Sequence, residues 1–140
     1  MKTVPNVKTV PKWIQMGGWL VVAIKSVDAL VLLTYPVALI PSQHTSVDSL
    51  FLAHRIMSTD LALAIIVALG LVKRQPMVLA CAFAALVVNE GLDMITLITN
   101  YLDGNLAIKA LGGAFAAVFF VAFYVAASRR LFSLNKPTDG

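Results

Sequence analysis

The sequence predicts an all-α integral membrane protein: one domain over residues 1–140, folded as an antiparallel bundle of four transmembrane helices. Three observations predict this fold. Hydrophobic residues make up 59% of the chain and charged residues 13%, and a soluble domain of this size cannot bury so much apolar surface. The apolar residues are concentrated in four long segments, and most of the Lys and Arg residues lie outside those segments.

The four spans each contain the roughly 20 mainly apolar residues that crossing a bilayer requires. They are predicted at 14–40, 50–72, 77–99 and 107–127. Gln75-Pro76 is expected to form the turn between the second and third spans, and residues 100–105, which include Asn, Asp and Gly, the turn before the fourth. The tail at 135–140 is predicted to be disordered.

The Lys and Arg residues predict the orientation of the bundle. They precede the first span, form the turn at 73–74 and follow the last span at 129–130, whereas 42–49 and 100–105 on the other side contain none. Lys109 is the exception and can extend to the interface. Because basic segments stay in the cytoplasm, both termini are predicted to be cytoplasmic. A nucleic-acid partner is not expected, since the net charge of +4 forms no basic patch interleaved with aromatic residues.

Apart from His54 and the Lys109 already mentioned, six residues that carry a charge at neutral pH lie inside the predicted spans. They are Lys25, Asp28, Arg55, Asp60, Glu90 and Asp93. A charge at the centre of a membrane costs about 2.5–3.5 kcal/mol even on the insertion scale, so such residues usually face a bundle interior or a functional site. At a rise of about 1.5 Å per residue, Asp60 and Glu90 lie roughly 14 Å and Asp28 about 15 Å from the non-cytoplasmic ends. An acidic cluster is therefore predicted in that half of the bundle.

The spacing of these residues predicts which of them face each other. Asn89, Glu90 and Asp93 fall within an arc of about 100° on the third span, which predicts a polar face. Lys25 and Asp28, three residues apart, are expected to pair along the first helix.

The charge count of the cluster predicts its chemistry. Lys25 and Arg55 supply two positive charges against four carboxylates, so the cluster is expected to hold a shared proton or a bound cation. Acids that share a proton are suited to general acid–base chemistry. The predicted catalytic residues are Asp60, Glu90 and Asp93. The predicted substrate-binding residues are Lys25, Asp28, Arg55 and Asn89.

Two other residue types bear on cofactors. His54 has no second His three or four residues away, so no zinc site is predicted. The single cysteine, Cys81, forms no CxxC motif. His54 is a candidate for a haem ligand or for a proton shuttle, and His44 in the outer loop is a weaker candidate.

The second and third spans carry a resemblance to a known group. The stretch 55–64, the basic turn at 73–74 and Asp93 late in the next span resemble DoxX-like small four-helix membrane proteins. Many members of that group are accessory subunits, so the resemblance implies a partner membrane subunit.

The same region is similar in layout to styrene oxide isomerase, a four-helix membrane enzyme that uses haem. The matching features are Ala53-His54, Asp60 and Glu90-Gly91. This resemblance implies that His54 is the haem ligand and that Asp60 and Glu90 line the pocket.

The protein is predicted to bind a small lipophilic substrate from the lipid bilayer in an intramembrane acid–base pocket. If it is an enzyme, it is expected to be an isomerase. Two alternatives stay open: an accessory or scaffold subunit of a membrane complex, and a protein that moves protons or cations. The pairs Gly112/Ala116 and Gly113/Ala117 permit close helix contact, either within the bundle or in a homo-oligomer.

Overall fold

The computed structural model describes residues 9–34, 47–103 and 111–135, which form four α-helices. The helices are α1 (Lys12–Thr34), α2 (Val47–Val72), α3 (Pro76–Leu102) and α4 (Leu111–Leu134). Each helix contains a segment long and apolar enough to cross a membrane. The prediction of an all-helical chain with four helices of membrane-spanning length is confirmed.

The outer surface of the helices is strongly apolar. Large hydrophobic side chains are exposed on all four helices, and Met16, Leu102 and Phe119 expose about three quarters of their area. Soluble proteins rarely expose contiguous apolar surface of this extent, whereas lipid tails solvate it without cost. The chain is an integral, multi-pass membrane protein.

A stripe of residues spaced three or four apart faces the interior on each helix, because that spacing returns to the same helix face. On α1 the buried residues are Ile14, Gly18, Val21, Lys25, Ala29 and Leu32. On α2 they include Asp60, Ala64, Val67 and Leu71, and on α3 Leu79, Phe83 and Leu86. On α4 they include Tyr124, Ala127 and Leu131. These four stripes form one core.

The helices pack in chain order. α1 packs along α2, and α3 along α4, more extensively than α2 packs along α3. Small residues allow close contact: Gly18 lies against the side chain of Leu71, and the buried hydroxyl of Ser128 donates a hydrogen bond to the carbonyl oxygen of Ala80 at 3.3 Å. Residues of all four helices contribute to the same core.

The ring of Phe123 joins α4 to α1 and α3. It lies edge-on to Trp13, with ring centroids 5.9 Å apart, and edge-on to Phe83 at 5.6 Å. Aromatic pairs prefer this geometry because the positive ring edge meets the negative face of the neighbour. Gly17 makes room for the ring, since a Cβ at that position would overlap it.

The turn between α2 and α3 is a Schellman motif. The N–H of Gln75 donates to the carbonyl of Gly70 at 3.0 Å, and the N–H of Arg74 donates to that of Leu71 at 3.2 Å. Arg74 has φ of 49°, in the left-handed region that glycine usually occupies at this position. Pro76 then begins α3, where its missing N–H costs nothing. The predicted turn at Gln75-Pro76 is confirmed.

The turn predicted at 100–105 begins later than expected. α3 continues through Leu102, and the N–H of Asp103 donates to the carbonyl of Thr99 at 2.9 Å. Asn100 and Tyr101 extend the helix because its hydrogen bonds outweigh their weak helix propensity. Residues 104–110 lie outside the described part of the chain.

The end of α4 also differs from the prediction. The helix continues beyond Ala127 to Leu134. Asn135, the first residue of the tail predicted to be disordered, forms a turn in which its side-chain amide donates to the carbonyl of Leu131 at 3.0 Å. This bond satisfies one of the carbonyl groups left open at a helix end. Residues 35–40, the predicted end of the first span, and 136–140 lie outside the described residues.

Candidate functional site

Three charged side chains from three helices meet inside the bundle. The Nζ atom of Lys25 lies 2.8 Å from Oδ1 of Asp60 and also forms an ion pair with Oε1 of Glu90. The side chains of Lys25 and Asp60 are 9% and 7% exposed, and that of Glu90 is 16% exposed. Charges buried to this extent are tolerated when they are paired. We refer to these three residues as the charged triad.

Each member of the charged triad stands in the core stripe of its helix. Lys25 follows Val21 by four residues, Asp60 precedes Ala64 by four, and Glu90 follows Leu86 by four. At this spacing an apolar residue is expected. The periodicity of the sequence therefore contains a signal for the triad, since a charged residue replaces a core residue on three of the four helices.

The predicted pairing of Lys25 with Asp28 is wrong. Among the described residues, the ion-pair partners of Lys25 are Asp60 and Glu90. Lys25 faces the core, where two other helices supply carboxylates, whereas Asp28 is half-buried to one side of it. Within the described part of the chain, Asp28 makes no ion pair and no hydrogen bond through its side chain.

A cavity of about 170 Å³ adjoins the charged triad. Lys25, Asp28 and Glu90 supply its charged lining. The other described lining residues are Ile24 of α1 and Ala116, Ala117, Phe120 and Tyr124 of α4. An apolar cavity of about 150 Å³ binds benzene in another protein, so this space is large enough for a small organic molecule.

Tyr124 is a site residue that the sequence analysis missed. It is 2% exposed, and its ring stacks on Phe83 and Phe120 with centroids 5.9 Å and 6.2 Å apart. Its hydroxyl makes no hydrogen bond to any described residue. A tyrosine in an otherwise apolar span, seven residues before core residue Leu131, is the signal that could have identified it.

Three of the predicted catalytic and substrate-binding residues belong neither to the charged triad nor to the described lining of the cavity. Asp93 is exposed on α3, Arg55 is exposed on α2, and Asn89 is half-buried; none of them lines the cavity. Asp93 follows Leu86 by seven residues and Glu90 by three, which places it on the same face of α3, but its side chain is exposed there. The polar arc predicted on the third span is therefore divided between the interior and the surface.

His54, the predicted haem ligand, is exposed near the beginning of α2 and does not line the cavity. Among the described residues, no group of three or more His, Cys, Asp or Glu side chains could hold a metal ion. Haem ligation by His54 stays a prediction.

The chain matches no protein-family model, and comparison with curated proteins and with solved structures also gives no match. The resemblances to DoxX-like proteins and to styrene oxide isomerase stay predictions that depend on the residues that carry them.

Proposed function

We propose that this protein binds a small lipophilic molecule from the bilayer and moves a proton within it by acid–base chemistry. One observation carries the proposal: the Glu90 carboxylate and the Tyr124 side chain line the same cavity of about 170 Å³. Acid–base catalysis needs a proton acceptor and a proton donor that reach the same molecule. Glu90 supplies the acceptor and the Tyr124 hydroxyl the donor.

The other members of the charged triad act through Glu90. Lys25 forms an ion pair with Oε1 of Glu90, and in this proposal the ion pair fixes the position of the Glu90 carboxylate. Asp60 binds Lys25 and does not line the cavity, so it is a positioning residue in this proposal. Asp93, which was predicted to be catalytic, has no part in the proposed step because it is exposed and does not line the cavity.

In this proposal the four helices form an antiparallel bundle with both termini in the cytoplasm. Two contacts support antiparallel directions for α1 and α2 and for α3 and α4. Gly18, early in α1, lies against Leu71, late in α2, and Ser128, late in α4, bonds to Ala80, early in α3. Residues 73–74 and 129–130 then lie on one side, as the positive-inside rule requires.

Binding is tested with cyclohexanol, a neutral lipophilic probe, by thermal unfolding of the full chain in detergent micelles. A ligand whose free concentration is a hundred times its dissociation constant stabilises the folded protein by about 2.7 kcal/mol, which raises the midpoint of thermal unfolding. Ala117→Leu narrows the cavity and is expected to abolish this increase. Ala122→Leu, at an exposed position of the same helix, is the control. An increase caused only by the effect of the probe on the micelles should appear equally in both variants. Absence of any increase in the native chain would refute the proposed binding.

The acid–base step is tested with cyclohexanone in D₂O. Glu90 would remove an α-proton while the Tyr124 hydroxyl donates a hydrogen bond to the carbonyl oxygen of the resulting enolate. The carboxyl proton of Glu90 would exchange with D₂O, and Glu90 would return a deuteron to the carbon. We expect faster exchange with the native chain than with Glu90→Gln or Tyr124→Phe. Asp103→Asn, an exposed position at the end of α3, is the matched control. Equal rates of exchange with the native chain and with Glu90→Gln would refute the acid–base step and leave only the proposed binding.

A second candidate function, as a subunit of a membrane complex, is supported by the exposed charges of Arg55 and Asp93. Both residues lie within segments long enough to span a membrane, and neither has an ion-pair partner among the described residues. A charge that faces lipid is costly unless it is paired, so a partner's helix could supply the opposite charge. Native mass spectrometry of the protein purified from its membrane tests this candidate; a monomer alone would contradict it.

A further inference from the structure

We infer that the cavity beside the charged triad takes a small organic cation, an alkylammonium or arylammonium ion. The inference rests on the proposed function, because it names the ligand class of the same cavity. Its first support is charge. Asp28 and Glu90 line the cavity and Asp60 is paired with Lys25, which is the single cationic group among these residues.

Asp28 is the carboxylate that lacks a partner. Lys25 lies between Asp60 and Glu90, so its ammonium group is already paired with two carboxylates. Asp28 is half-buried, lines the cavity and makes no ion pair with any described residue. A carboxylate in a low-dielectric site is costly without a counter-charge. A cationic ligand in the cavity supplies that charge.

The aromatic wall of the cavity is the second, independent support. Phe120 and Tyr124 line the side formed by α4. The Tyr124 ring stacks on Phe83 and Phe120, so the polar group that this wall offers to a ligand is the Tyr124 hydroxyl. Tyr124 is 2% exposed, and its hydroxyl has no partner among the described residues. That hydroxyl oxygen can accept a hydrogen bond from an ammonium N–H. The cavity thus offers a carboxylate, an aromatic wall and a free acceptor to one ligand.

The remaining lining favours an organic cation over a metal ion. Ile24, Ala116 and Ala117 form apolar walls, which provide no ligands for Ca²⁺ or Mg²⁺, ions that need about six oxygen atoms. These walls suit a hydrocarbon ring, and the volume of about 170 Å³ accommodates one with six carbons. The ammonium group is therefore expected near Asp28 and the Tyr124 hydroxyl, and the ring against the apolar walls.

The test compares cyclohexylammonium with cyclohexanol, which have the same ring and differ in charge. Dissociation constants are measured by thermal unfolding of the full chain in micelles. The native chain is expected to bind cyclohexylammonium about tenfold more tightly, because its charge is paired with the Asp28 carboxylate. Asp28→Asn is expected to bind both probes with similar affinity, whereas the matched control Asp103→Asn keeps the preference.

Each outcome separates this inference from the proposed function. Equal affinity of the native chain for the two probes overturns the cation inference and leaves the proposed binding intact, whereas binding of neither overturns the proposed function. A preference that persists in Asp28→Asn overturns the assignment to Asp28. If Asp28→Asn binds neither probe, the affinities of Asp28→Glu for the two probes are measured. Tighter binding of cyclohexylammonium by Asp28→Glu supports the inference, and its absence contradicts the inference.

Discussion

Lys25 and Asp60, from the first two helices of the bundle, form an ion pair of 2.8 Å whose side chains are both less than one tenth exposed. Glu90 of α3 joins the same ammonium group. A buried charge without a partner is costly, whereas a paired one is tolerated. The stability of the bundle therefore depends on the three residues together rather than on any one of them.

Lys25→Met is expected to lower the free energy of unfolding by about 3–5 kcal/mol, because it leaves the carboxylates of Asp60 and Glu90 buried without a cation. Denaturant titration of the protein in mixed micelles measures this change. Lys73→Met, at an exposed lysine of the α2–α3 turn, is the control and is expected to change stability by less than about 0.5 kcal/mol.

The triple variant Lys25→Met/Asp60→Asn/Glu90→Gln is expected to recover most of the stability lost in Lys25→Met. Neutral polar groups of similar size replace the unpaired charges, and burying them costs far less. A triple variant no more stable than Lys25→Met would show that the ion pairs are not the source of the loss.

Gly17→Ala is expected to destabilise the protein by about 1–3 kcal/mol, because the added Cβ would overlap the ring of Phe123 and the core would have to shift. Gly91→Ala is the matched control. No heavy atom lies within 4 Å of a Cβ at Gly91, so alanine should stabilise the helix by about 0.5–1 kcal/mol. Thermal unfolding of both variants checks the contrast, and a similar loss in both would contradict it.

Arg74→Gly is expected to raise the free energy of unfolding by about 1 kcal/mol, because glycine removes the penalty of a side chain in the left-handed region. Lys73→Gly, at the preceding residue, removes the same charge where φ is not positive, so it should bring no gain. Chemical unfolding of the two variants separates backbone strain from loss of charge. Equal effects would assign the change to charge instead.

Asp93→Asn is expected to change the stability of the isolated protein by less than about 0.5 kcal/mol, since its side chain is exposed. Glu90→Gln should cost about 1–3 kcal/mol, because Lys25 loses a charged partner. Thermal unfolding of the two variants measures the difference. If Asp93 binds a partner subunit, Asp93→Asn should release that subunit from the purified complex while leaving the stability of the free chain unchanged.

The four helices and the short turn at Gln75-Pro76 follow from the sequence alone. Long apolar segments have one stable arrangement in lipid, because a helix satisfies its backbone hydrogen bonds internally. The similar depth of Asp60 and Glu90 also follows, since the helical rise converts residue number into distance. Both residues indeed bind one ammonium group.

Only the tertiary structure decided which charges face each other. The choice of Asp60 and Glu90 over Asp28 as partners of Lys25 depends on how α1 is rotated against α2 and α3. Likewise, the approach of Tyr124 to the cavity depends on the packing of α4 against α3. Residue spacing assigns a side chain to a face of its own helix, but the packing of the neighbouring helices determines what that face meets.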